Sequence, residues 1–262
     1  MSESSTVAAP NAAIRVRAQG AGPALVLLPG LGRPAEDLDP LAHLLAGAGW
    51  RVIQPDPRGS GGSTGPLDGL TFHDLARDVA TVIEVSGAAP AVIVGHAFGN
   101  RIARTVAADR PDLVRTVVLL GCSGKVQPSA EIVEAIRLAQ VPDTDADRRA
   151  KAVQEAWFGP GRDITPWLDG WSQPVMKAYL AAAVATDTAS WWTAGRSEVV
   201  IIQGLADVSA PVENGRLLKA EIGDRATLVE LPGIGHALPV EDPVAVAAAI
   251  LAQLTQPGGA AP

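Results

Sequence analysis

A chain of 262 residues, 47% hydrophobic and 19% charged, is long enough and apolar enough to bury one large core, which excludes disorder over its body. A net charge of −7 and a pI near 5.1 give an acidic surface that repels phosphate backbones, so neither nucleic acid nor a membrane surface is expected as a partner. The single cysteine, Cys122, excludes an internal disulfide.

Residues 1–10 carry neither the basic start nor the apolar stretch of a secretory signal, and a cytoplasmic location is expected. Beyond them, short β-rich runs alternate with helix-length patterns. The strand-like runs are residues 13–17, 24–28, 51–54, 91–94, 116–120, 199–203 and 227–231. Most are continuously apolar, as a strand buried on both faces must be. Helical patterns cover 38–48, 72–86, 100–109, 212–222 and 244–254. This alternation predicts an α/β fold with a doubly wound, mostly parallel sheet. The run 244–254 is too short to cross a bilayer and reads as the last core helix, followed by a frayed Pro/Gly/Ala tail at 257–262.

One stretch breaks the rhythm. Residues 127–192 contain no convincing strand, but they hold helical patterns at 130–140, 146–157 and 173–185, punctuated by prolines. The division expected is a core of residues 1–126 and 193–262, with 127–192 inserted as a helical cap above the carboxyl edge of the sheet. Five of the six tryptophans fall in the insertion: Trp157, Trp167, Trp171, Trp191 and Trp192. They can be the large side chains that a small helical core requires, or an aromatic roof over an apolar ligand.

The strongest chemical signal is Gly95-His96-Ala97-Phe98-Gly99, between the buried run 91–94 and the helix after it. Glycines on either side permit a sharp strand-to-helix turn that lifts the central residue to the mouth of the sheet. In this context the chain resembles the α/β-hydrolase superfamily from residue 24 onward. The resemblance implies an α/β-hydrolase fold and makes Ala97 the nucleophile position, usually serine. Alanine has no nucleophilic atom, so no covalent acyl-enzyme can form there. The Gly-rich segment Leu28-Pro29-Gly30-Leu31-Gly32 resembles the family's oxyanion loop, which implies donors at the backbone N–H groups of Leu31 and Phe98. Asp207, in a loop after the run 199–203, falls where the family places its acid. His236, on a Gly-rich loop before the last helix, falls where it places its general base. Taken alone, an aspartate such as Asp207 is more often a turn or helix-cap residue.

Other polar residues carry less. His96 beside the turn is expected to brace it by hydrogen bonding. Asp56-Pro57-Arg58-Gly59 reads as a structural loop, and His43 and His73 as surface or packing residues. Cys122 and Ser123 follow the run 116–120 at an edge that can face the pocket. Either is a conceivable substitute nucleophile, though a lone cysteine is more often a small buried hydrophobe. The expected pocket wall is Trp157, Trp167, Trp171, Trp191 and Cys122. No residue spacing suggests a metal or nucleotide site, and no cofactor is expected. Three readings stay open for Ala97. The chain is a serine hydrolase lacking its nucleophile, an enzyme that uses His236 as a base without a covalent intermediate, or an inactive small-molecule binder. The first two act on a small, apolar carbonyl compound such as an ester, lactone, thioester or ketone. The chain is expected to be a monomer or homodimer.

Overall fold

The computed structural model describes residues 3–254, so the tail at 257–262 lies outside the described residues. Its eight strands are β1 (Glu3–Ala9), β2 (Ala12–Gln19), β3 (Ala24–Leu28), β4 (Arg51–Pro55), β5 (Ala91–His96), β6 (Val114–Leu120), β7 (Glu198–Gly204) and β8 (Ala226–Leu231). They form one sheet in the order β1-β2-β4-β3-β5-β6-β7-β8. The β1–β2 and β2–β4 pairings are antiparallel, and every other pairing is parallel. The expected α/β class and the mostly parallel sheet are therefore observed.

Helices cover both faces. On one side lie α1 (Asp39–Gly47) and, at the C-terminal end, α9 (Pro243–Leu254), over Leu25, Leu27, Val92, Val94, Val118 and Ile202. On the other lie α2 (Phe72–Val85) and α3 (Phe98–Asp109), over Val26, Ile53, Ile93, Val117 and Ile201. Neighbouring residues of one strand thus point into two different cores, and a continuous apolar run satisfies both. The start of α2 is fixed by reciprocal bonds: Asp74 N–H donates to Thr71 Oγ1, and Thr71 N–H donates to Asp74 Oδ2.

β1 has no counterpart among the predicted strands. Its sequence ESSTVAA is largely polar, and only Val7 is buried. It is an edge strand paired on one side with β2 through a tight turn, and an edge strand with one exposed face shows little apolar pattern.

Between β6 and β7 run α4 (Ala130–Gln140), α5 (Ala146–Trp157) and α6 (Gln173–Ala185), with the boundaries the sequence predicts. They do not share one core. α4 and α5 pack with Trp167 and Ala237 in a cluster of their own. α6 instead sends Val175, Tyr179 and Ala182 into the main core beside Phe98. Between β7 and β8 runs α7 (Glu213–Ile222), and the four-residue α8 (Leu238–Glu241) precedes α9. Among the described residues no helix is long and apolar enough to cross a membrane.

Candidate active site

The turn between β5 and α3 is built by what its glycines leave out. A Cβ on Gly95 would meet Gly99 O at 2.4 Å, and one on Gly99 would meet Leu28 O and Pro29 O at 2.5 and 2.6 Å. Each obstacle is backbone that cannot swing aside, so only glycine fits at either place. Between them Ala97 is driven to φ +49°, ψ −108°, a conformation that costs a non-glycine residue about 1–3 kcal/mol. Its N–H is anchored on Leu120 O at 2.9 Å. The predicted helix starts at residue 100, but the observed one begins at Phe98, directly after the apex. The apex methyl consequently stands at the helix N-terminus, where the unpaired N–H groups and the helix dipole favour negative charge.

β7 and β8 deliver the acid and the histidine. His236 Nδ1 lies 2.9 Å from Asp207 Oδ2, both side chains buried. A carboxylate can only accept, so Nδ1 carries the proton and the Nε2 lone pair is free. Asp207 is itself held in place: Ala210 N–H donates to its Oδ1 at 2.7 Å and Gln203 Nε2 to its Oδ2 at 3.2 Å. Gln203 also donates to Ala210 O and accepts from Cys122 N–H, tying the β6 and β7 loops together. The sequence reading passes over Gln203. The available signal was a polar side chain at the end of an otherwise apolar strand, EVVIIQG. The histidine loop is fastened to the insertion as well, since Ala237 N–H donates to Trp157 O at 2.9 Å.

His96 braces the turn as expected. Its Nε2–H donates to His236 O at 2.8 Å. Complete burial, reinforced by nearby His236, pushes His96 down to about 3, so the ring stays neutral. Because the unfolded ring protonates near 6.5, this group contributes stability that is full above that value and is lost as pH falls toward 3. About 2 kcal/mol should disappear between pH 7 and pH 5. His96→Asn keeps a donor for His236 O but does not titrate. Comparing urea midpoints at the two pH values should show a clearly smaller acid loss in this variant. Equal losses would contradict the assignment.

One hollow joins these parts. Gly30, Leu31, His96, Ala97, Phe98 and His236 line its floor, and Trp157, Trp167 and Trp171 line its wall; it holds about 700 Å³ including its mouth. The three indoles pack on one another, Trp157 stacked on Trp171 at 4.6 Å and Trp167 edge-on to both. Among the described residues no protein acceptor takes the Leu31 or Phe98 N–H. Two members of the expected wall lie elsewhere. Trp191 packs on Phe72 and under the Arg104 guanidinium, because the chain re-enters the main core before β7. Cys122 is fully buried in that core, and desolvation pushes its thiol up, away from thiolate reactivity. Ser123 does reach the hollow, where its Oγ accepts from Arg101 Nε at 3.1 Å.

The sequence reading also misses both arginines of the lining, Arg33 and Arg101. Arg33 pairs with Asp37 at 2.6 Å, donates to Pro166 O and Asp169 O, and lies under Trp167 and Trp171. It acts as a bracket between the loop after β3 and the insertion. Nothing in its sequence context marks that role, which depends on residues more than 130 positions away. Among the described residues no group of three His, Cys, Asp or Glu side chains is arranged to hold a metal.

Comparison with known proteins agrees with this fold. A family profile described as "alpha/beta hydrolase fold" matches residues 23–243. A 2-(acetamidomethylene)succinate hydrolase from Mesorhizobium japonicum is 28% identical over 232 residues, covering 87% of this chain and 82% of that protein. A bifunctional esterase/perhydrolase from Acinetobacter calcoaceticus is 27% identical over 228 residues, covering 79% and 83%. Among solved structures, a hydrolase from Pseudomonas aeruginosa superimposes with a TM-score of 0.80 at 24% identity, over 97% of this chain and 98% of the other, which speaks to the fold alone.

Proposed function

Starting from the fact that this chain belongs to the α/β-hydrolase fold family, we propose that it hydrolyses a small carbonyl substrate by general-base catalysis, without a covalent intermediate. The observation that carries this reading is the buried Asp207–His236 pair at 2.9 Å, facing a hollow whose floor also holds the Ala97 methyl. A protein that only held a ligand would bear the desolvation cost of a buried acid–histidine pair without using it.

In this mechanism water enters beside the Ala97 methyl, in space that a nucleophile's side chain would otherwise take. His236 Nε2 removes a proton from the water as its oxygen attacks the carbonyl carbon, and Asp207 stabilises the imidazolium that forms. The carbonyl oxygen becomes an oxyanion and accepts from the Leu31 and Phe98 N–H groups. These donors belong to the main chain and do not depend on the residue at the apex. The tetrahedral centre then collapses: the bond to the leaving group breaks, and His236 returns its proton to that group. The helical insertion at 127–192 serves as a cap, and Trp157, Trp167 and Trp171 hold the apolar part of the substrate. Hydrolase and esterase names among the relatives support hydrolysis over a lyase reaction.

The test is turnover of aryl esters and thioesters by the purified protein, with intact-mass spectra taken during the reaction. Turnover without an acylated protein species is expected, and His236→Gln should lower it by roughly 10²–10⁴-fold. An acyl adduct on the unaltered chain, or a His236→Gln variant as active as the parent, would overturn the mechanism.

A further inference from the structure

The lining of the hollow has a charge imbalance that the hydrolytic reading leaves unused. It contains two arginines and no aspartate or glutamate, in a chain whose net charge is −7. Arg33 is accounted for by Asp37. Arg101 is different. Its Nε donates to the neutral Ser123 Oγ, its guanidinium carbon lies 5.9 Å from the Phe98 ring centroid, and among the described residues no carboxylate comes within ion-pair distance. The acid nearest the floor, Asp207, stands behind the His236 ring, occupied by His236, Ala210 and Gln203.

Position explains where Arg101 reaches. It lies four residues after Ala97, about one turn along α3, and helical side chains lean toward the helix N-terminus. The side chain is therefore directed back toward the apex, and Arg101 lines the hollow together with Ala97 and Phe98. Surrounding protein strips water from it, and this desolvation lowers its affinity for its own proton. A partly dehydrated guanidinium that lines a cavity and has no carboxylate partner is suited to capture of an oxyanion. The α3 N-terminus adds positive potential in the same region.

We propose that Arg101 is a specificity-determining residue that selects substrates bearing a carboxylate a few bonds from the reacting carbonyl, with the apolar remainder against the three tryptophans. This inference rests on the hydrolytic reading for the word substrate, but its test does not require turnover. The probes are 3-phenylpropionate and its neutral isostere 3-phenylpropionamide, titrated by tryptophan fluorescence and calorimetry. The unaltered protein should bind the carboxylate at least ~10-fold more tightly than the amide. Arg101→Met should erase that preference while leaving amide affinity unchanged, which also shows that the hollow is still formed. Arg101→Lys should retain part of the preference. Equal affinity for both probes in the unaltered protein, or an undiminished preference in Arg101→Met, would overturn the proposal. Because binding is read without chemistry, a failed turnover assay with a preserved Arg101-dependent preference would sink the mechanism and spare this inference, and the reverse outcome would do the opposite.

Discussion

Ala97→Ser is expected to create a protein that is stoichiometrically labelled by a fluorophosphonate, where the parent is not, and that hydrolyses aryl esters roughly 10³-fold faster or more. The backbone needed for this gain is already in place. Gly95 and Gly99 admit no side chain, and Ala97 N–H is fixed on Leu120 O, so the apex is held at φ +49° whichever small residue occupies it. A hydroxyl there would project into the hollow that His236 lines, with a base whose Nδ1 is already committed to Asp207. In a triad, losing the serine costs roughly 10⁶ in rate, and the rest of the site supplies roughly 10³–10⁴ over water, so restoring the missing atom to an otherwise complete site recovers a large share. Fold stability should change by less than about 1 kcal/mol, since no backbone contact is altered. A variant that folds but takes up no label would mean that the apex and His236 are not within reach of each other, and the whole site assignment would fail with it.

The second large effect is expected from Asp207→Asn. The amide would keep its oxygen at the Oδ1 position, where Ala210 N–H donates. Its NH₂ would then fall at the Oδ2 position and face two groups at once: Gln203 Nε2, which is also a donor, and His236 Nδ1. To accept from that NH₂, the imidazole must move its proton to Nε2. The base is then blocked where it is needed, and turnover should fall by roughly 10⁴-fold. The donor–donor clash with Gln203 should destabilise the fold by about 1–3 kcal/mol. Turnover measured at a temperature where the variant is still fully folded separates the tautomer effect from simple loss of structure. An Asp207→Asn variant with near-parent turnover would remove His236 from the chemistry.

How much of this was legible beforehand depends on the range over which each feature acts. Short β-rich runs identified seven of the eight strands, most of them continuously apolar because a strand buried on both faces must be apolar at every position. The polar edge strand β1 could not be read this way, since only Val7 on it meets the core. The helices of the insertion were readable to the residue from their local pattern and the prolines that punctuate it. Their destinations were not: α6 and Trp191 join the main core, while Trp157, Trp167 and Trp171 face the hollow. An indole is apolar in either place, and nothing local distinguishes the two.

The residues Ala97, Asp207 and His236 were visible because each sits in a short motif whose glycines and strand context are written next to it in the chain. By itself, then, the sequence determined the class of fold, the order of its elements and the apex that lacks a nucleophile. The tertiary structure alone decided that Arg101 stands in the lining without a carboxylate, that Gln203 steadies Asp207, and that Cys122 is sealed away. Those outcomes are set by partners between 4 and 81 positions distant, brought together by packing. A side chain's type records what it can do, and only its neighbours in space fix whether its charge or its hydrogen bonds are already spoken for.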